Sequence, residues 1–190
     1  SLAKQANIII PELIVIGAKE TKTGTLSPKA LPLIIETAKT STAILVGPGL
    51  GVNSKLKKLI KNCIKSIQIP IIIDADGINN LERSSLKHLK TQIILTPHIG
   101  ELSQLIKQPK QQLKKNKKKA VKSIDKKMVT TVLKSDKTLI YNKQHGLHKN
   151  KTGNPALAIP GSGDVLSGII ASLVSKNWQT FEACKFANHI

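Results

Sequence analysis

Short runs of β-branched residues alternate along this chain with stretches whose apolar side chains recur every three or four positions. Residues 43–46, 69–73, 93–95 and 128–133 read as strands. Between the first two, Leu56, Leu59, Ile60, Cys63, Ile64 and Ile67 fall at helical spacing, which predicts an amphipathic helix over 52–67. Residues 138–141 are expected to pair with the fourth strand as a hairpin arm. Residues 165–174 predict an apolar helix behind a glycine-rich turn, and 180–187 begin another. The lysine-dense segment 107–127 still carries Leu113, Ala120, Val121 and Ile124, so it reads as an exposed helix and not as a linker.

Strand, helix, strand at this spacing implies βαβ units, hence an α/β fold with a mostly parallel β-sheet flanked by helices on both faces. Ligands of such sheets bind in the crevice beyond the carboxyl ends of the strands. Those ends carry Gly47-Pro48-Gly49, Asp74-Ala75-Asp76 and Thr96-Pro97-His98.

Composition narrows the picture. The 190 residues suit a single domain, 1–190, with enough chain to bury a core. Aromatic content is only 2%, so the core must rest on Ile, Leu, Val and Ala, which favours a buried parallel sheet over a β-sandwich. The formal charge of +19 is nearly all lysine, with Arg83 the single arginine. Such a surface concentrates polyanions. Lysine without arginine or aromatic partners reads bases poorly, so a solvated lysine coat is the plainer reading and no specific nucleic acid is expected. Cys63 and Cys184 have no metal-ligand spacing, which fits a reduced cytoplasmic compartment. No apolar run is long enough for a bilayer; residues 8–16 are interrupted by Pro11 and Glu12.

The strongest chemical signal is Gly153-Asn154-Pro155 leading to Gly161-Ser162-Gly163-Asp164-Val165-Leu166-Ser167-Gly168. Glycines let the chain fold tightly, so that successive N–H groups of Gly161, Ser162 and Gly163 converge on one anion at a helix start. Asp164 then lies on the first helical turn. A carboxylate beside a phosphate cradle repels its ligand unless it takes a proton from a hydroxyl under attack, although a carboxylate that merely complements the helix dipole is the structural alternative. Gly47-Pro48-Gly49-Leu50-Gly51 is either a tight strand-to-helix turn or a second wall of the same crevice. It is not a dinucleotide fingerprint, since Val52 stands where a glycine is required. Of Asp74 and Asp76, one is expected to face a Mg²⁺–phosphate cluster while the other caps the next helix. His98 either caps the helix containing Glu101 or meets a ligand. Lys134, at a strand end, is placed to touch nucleotide phosphate.

These motifs, in this order, resemble NAD(P)H-hydrate dehydratase of the ribokinase-like superfamily. The resemblance rests on residues 47–51, 74–79, 95–101, 134–138 and 153–168, and spans most of the chain. It implies repair of hydrated NADH or NADPH with consumption of ADP or ATP and with Mg²⁺. The catalytic, substrate-contacting residue it implies is Asp164. Gly163 and the run Lys134, Ser135, Asp136, Lys137 and Thr138 would bind nucleotide, while Gly49, Gly51, His98 and Asn154 would bind the hydrated dinucleotide. It further implies a cytoplasmic homo-tetramer with no membrane partner. Ile99, Gly77 and Ser135 depart from the family's usual proline, alanine and glycine without removing a charged group. The family's N-terminal strand–helix units have no counterpart, and the chain stops within the penultimate helical region, so the domain is expected to be incomplete at both ends. A vitamin-precursor alcohol kinase of the same superfamily, a basic nucleic-acid-binding protein and a non-catalytic remnant are the rival readings.

Overall fold

The computed structural model describes residues 8–154 and 159–190. The isoleucine-rich runs become the strands Ile44–Val46 (β1), Ile71–Ile73 (β2) and Ile93–Leu95 (β3), followed by Val129–Leu133 (β4). These four are parallel and adjacent in chain order, with Ile71 opposite Ile44 and Ile93, and Ile93 opposite Val129. The expected arm, Leu139–Asn142 (β5), pairs antiparallel with β4, and a strand absent from the sequence reading, Gly146–Lys149 (β6), extends the meander beyond it. Neighbouring parallel strands need crossovers. The α-helices among the described residues are Leu31–Lys39 (α1), Ser54–Ser66 (α2), Asp76–Asn79 (α3), Ile99–Ile106 (α4), Lys110–Lys115 (α5), Lys117–Val121 (α6), Ser162–Ser175 (α7) and Thr180–Ala187 (α8).

Alternation along the strands divides the core into two layers. Ile71, Ile73, Ile93, Leu95, Val129 and Leu133 pack on one face against Ile60 and Ile64 of α2, Leu102 and Ile106 of α4, and Leu113 and Val121 of α5 and α6. Ile72, Ile94, Val132 and Ile140 face the other way, onto Ile170 and Val174 of α7 and Phe181 and Cys184 of α8. Both faces of β2 and β3 are closed, which is why those strands are unbroken apolar runs without a polar alternate. The expected sheet with helices on both faces is therefore present. No helix among the described residues is long and apolar enough to cross a membrane.

The segment 107–127 departs from the single helix expected of it. Lys107 ends α4 in a left-handed conformation, Pro109 precedes α5, and Asn116 closes α5 and caps α6 by accepting the Lys119 N–H at 2.9 Å. Two short helices fit here because Leu113 of α5, Ala120 and Val121 of α6, and Ile124 after it all reach the core. Helix α2 begins as its sequence suggests, with Asn53 accepting the Leu56 N–H at 2.9 Å.

The ends of β1 and β2 lie so close that side chains are excluded. A Cβ on Gly47, whose φ is +140°, would sit 1.7 Å from the Asp74 carbonyl oxygen. One on Gly77 would sit 2.6 Å from the Val46 carbonyl oxygen. Gly47→Ala is therefore expected to destabilise the protein by roughly 3 kcal/mol or more in chemical denaturation. Gly168→Ala, in α7 with open space around it among the described residues, should be neutral or stabilising by up to about 1 kcal/mol. Burial also raises both thiols, Cys63 to about 11 and Cys184 further, with a backbone hydrogen bond at Cys63 pulling weakly the other way. Mass spectrometry after alkylation at pH 8 should find both cysteines unmodified in the folded protein and both modified once it is unfolded.

Candidate active site

The carboxyl ends of the four parallel strands hold most of the residues singled out in the sequence, and three side-chain contacts organise them. The deepest is an ion pair. Asp74, directly after β2 and fully buried, receives the Lys134 ammonium at 2.7 Å on Oδ1, and the same oxygen accepts the Ala75 N–H at 2.8 Å. Lys134 is held by its backbone, whose N–H donates to the Pro97 carbonyl at 2.8 Å and so extends the β3–β4 pairing to His98. Oδ2 of Asp74 is buried with no hydrogen-bond partner among the described residues. Ala75 itself adopts φ 46°, ψ −123°, a region that non-glycine residues rarely enter.

Helix α7 brings its first turn to this pair. Gly161 takes φ +86° at the N-cap, a conformation that favours glycine, and offers no side chain to the helix. A Cβ on Gly163 would lie 3.2 Å from Lys134 Nζ. The Gly-Ser-Gly sequence thus serves two needs: left-handed backbone at the first glycine, and room for the ammonium at the second. The expected row of three converging amides is narrower in the structure. The Ser162 N–H is drawn back to the Ile159 carbonyl at 3.3 Å, which also accepts the Ser162 hydroxyl at 2.9 Å. The N–H groups of Gly163 and Asp164 have no acceptor among the described residues, so these two are the amides the turn offers to an anion. Asp164 is exposed on the first turn, and its carboxylate accepts no hydrogen bond from any described residue. Asn154 is exposed, and Pro155 lies outside the described residues.

A second contact braces the loop after β1. Asp76 Oδ2 accepts the Gly51 N–H at 2.9 Å. Asn80, one helical turn on and buried, donates to the Gly51 carbonyl at 2.7 Å and accepts the Asn53 N–H at 3.1 Å. Neither aspartate caps α3, whose N-cap Ala75 has no side-chain bond, so the capping role expected of one of them is replaced by loop binding. Sequence reasoning passed over Asn80. The available signal was its position four residues after Asp76, which puts both side chains on one helical face. Gly49, with φ +67°, is exposed at the loop tip, and Gly51 is partly buried beneath it.

The third contact is at His98, where the structural alternative is realised: Nδ1 accepts the N–H groups of Gly100 and Glu101, each at 3.0 Å, and Glu101 answers by accepting the His98 N–H at 2.8 Å. This reciprocal cap fixes Nδ1 as acceptor, so the neutral ring carries its hydrogen on Nε2. The side chain remains 60% exposed. Burial pushes the Glu101 carboxyl above its ordinary value, while the His98 N–H pulls it down. Beyond Lys134, Ser135 donates to the Lys137 carbonyl and Thr138 to the Ser135 carbonyl, forming a compact turn. Asp136 on that turn is exposed and paired with Lys117 at 2.6 Å, which holds its carboxyl below the usual range. Gly153 passes over the turn, its Cβ position 3.0 Å from the Asp136 carbonyl oxygen.

A cavity of about 280 Å³ lined by Gln92, Asn142, His145, Trp178 and Gln179 opens instead at the amino ends of the parallel strands. It contains none of the residues above. Among the described residues no cluster of three or more His, Cys, Asp or Glu side chains is arranged to hold a metal.

Known proteins resemble this chain in sequence and in fold. The chain is 33% identical over 166 residues to the bifunctional NAD(P)H-hydrate repair enzyme Nnr of Thermofilum pendens, covering 86% of this chain and 32% of that protein. It spans about a third of the length of the curated relatives it matches. The ADP/ATP-dependent NAD(P)H-hydrate dehydratase of Bacillus subtilis, co-crystallized with ATP/Mg²⁺, superposes with a TM-score of 0.70 at 25% identity, covering 87% of this chain and 67% of that one. A ribokinase-like superfamily protein from Enterococcus faecalis superposes with a TM-score of 0.74 at 25% identity over 97% of this chain and 61% of its own, so the fold is ribokinase-like. The sequence pattern of NAD(P)H-hydrate dehydratase matches residues 3–189, and the chain belongs to that family.

Proposed function

We propose that this chain carries the site for ADP- or ATP-dependent dehydration of hydrated NADH or NADPH, returning the reduced dinucleotide. The observation that carries the reading is the meeting of Lys134, Gly163 and Asp164 at the carboxyl end of the parallel sheet: an ammonium, two uncommitted amides and an exposed carboxylate within one helical turn. That is the donor set a transferring phosphoryl group requires, with a base beside it.

The nucleotide supplies the phosphoryl group that turns a poor leaving group, the ring hydroxyl, into a good one. In this reading Asp164 accepts the proton of that hydroxyl as its oxygen attacks phosphorus. The N–H groups of Gly163 and Asp164 hold the phosphoryl oxygens. The C–O bond then breaks as the ring nitrogen lone pair expels phosphate, and loss of a proton from the adjacent ring carbon to the departing phosphate or to water forms the C=C bond of the reduced nicotinamide. The turn of residues 134–138 would seat the nucleotide, and the exposed His98 ring would line the dinucleotide site. Magnesium asks for near-octahedral oxygen ligands and keeps several waters. With no protein-built cage among the described residues and one oxygen of Asp74 already on Lys134, the ion fits as a companion of the nucleotide phosphates, with Asp74 Oδ2 the protein oxygen on offer.

Incubation with hydrated NADH and either ADP or ATP should restore the reduced-nicotinamide absorbance band. Nucleotide consumed without that band would instead mark a kinase that stops at the phosphorylated product, and the dehydratase reading would fall. Asp164→Asn should lower turnover by about 10²–10⁴-fold while leaving the ADP dissociation constant within about twofold.

A further inference from the structure

The Lys134 ammonium belongs to the donor set of this site, and the way its pairing with Asp74 is built is specific. A buried ion pair contributes little net stability, because the desolvation of two charges offsets their attraction. Nor is the amino end of a helix a favourable place for an ammonium. Lys134 nevertheless has its Nζ there, in the space that a side chain at position 163 would fill. What fixes it is Asp74, sixty positions earlier in the chain, at 2.7 Å and with the carboxylate 1% exposed. The direction of that carboxylate is set in turn by the Ala75 N–H at 2.8 Å and by the strained backbone at Ala75. A lysine ammonium has three donors. One goes to Asp74, and no other acceptor for Nζ is present among the described residues, while the side chain keeps 22% of its exposure. Two donors are thus left facing the turn whose Gly163 and Asp164 amides are uncommitted. Glu101, whose carboxyl feels both charges, is engaged with His98.

We propose that Asp74 is a positioning residue of this site: it holds the Lys134 ammonium against the first turn of α7 so that ammonium and amides together grip the phosphate of the bound nucleotide. The assignment rests on the nucleotide-dependent reading above, and it separates two sources of nucleotide affinity. The phosphate end would depend on the Asp74–Lys134 pair, and the nucleoside end would not.

Calorimetric titration with ADP and, in parallel, with adenosine tests this on the unsubstituted protein, Asp74→Asn, Lys134→Met and the Asp74→Asn/Lys134→Met double variant. Either single substitution should raise the ADP dissociation constant about tenfold or more, as loss of a charge-assisted phosphate contact does, and leave adenosine within about twofold. The double variant should match Lys134→Met within about twofold, because Asp74 acts through the lysine. The double variant also removes both charges together, so it serves if Asp74→Asn alone fails to fold around an unpaired ammonium. Equal losses for ADP and adenosine would make the pair merely structural and overturn the proposal. So would an unchanged ADP affinity in Asp74→Asn, or a double loss equal to the product of the single losses. A raised Mg²⁺ requirement in Asp74→Asn with normal ADP binding in Lys134→Met would make Asp74 a metal ligand instead. These titrations need no hydrated NADH. A protein that shows the expected ADP pattern yet restores no reduced nicotinamide keeps the assignment and loses only the reaction.

Discussion

A buried carboxylate held against a half-buried ammonium is costly unless the surrounding backbone dictates where the two stand, and the upper rim of this sheet is organised around that requirement. Asp74 follows β2 and Lys134 follows β4, so their contact bridges over the end of β3. Each is pinned by its own main chain, Asp74 through the Ala75 amide and Lys134 through the Pro97 carbonyl. The close approach of Gly47 and Gly77 draws the β1 turn onto the same rim, and Asp76 with Asn80 keeps the following loop in place. Removing one charge would leave the other in a low-dielectric setting without compensation, so the pair, the turn after β2 and the start of α7 form one mechanical unit.

Much of the layered architecture was legible in the isoleucine runs. Strands covered on both faces lose the polar alternation of half-exposed ones, and the continuous Ile71-Ile72-Ile73 and Ile93-Ile94-Leu95 segments say so directly. Strand β6 was not legible, because Gly146-Leu147-His148-Lys149 has neither an apolar run nor clean alternation and is set by its pairing with β5. The division of residues 107–121 into α5 and α6 depends on which side chains reach the core, and that is a tertiary outcome.

The site divides in the same way. Helix α7 and the place of Asp164 on its first turn could be read from the motif alone, since a glycine at the N-cap and an acidic first turn are local requirements. The reason for Gly163 could not, because the group it makes room for comes from the end of β4, far from it in the chain. At His98 the sequence offered two roles and the cap is the one realised: Nδ1 accepts the two helix amides, while Nε2 lies 3.6 Å from Glu101 Oε1. The partner Glu101, three residues on, was the visible clue, with histidine standing where serine or threonine is usual. Long-range pairings such as Asp76 with Gly51 and Asp74 with Lys134 carry no local signature, and the family relationship points to their neighbourhood without supplying their geometry.

The torsion angles at Ala75 have a further implication. A residue held at φ 46°, ψ −123° tolerates neither a branched nor a bulky replacement, and glycine, which would accept the angles readily, would also let the peptide swing. Alanine is the compromise that keeps this turn stiff with the smallest side chain. A search for stabilised variants should therefore leave this position alone, even though relieving its tension looks, on paper, like an easy gain.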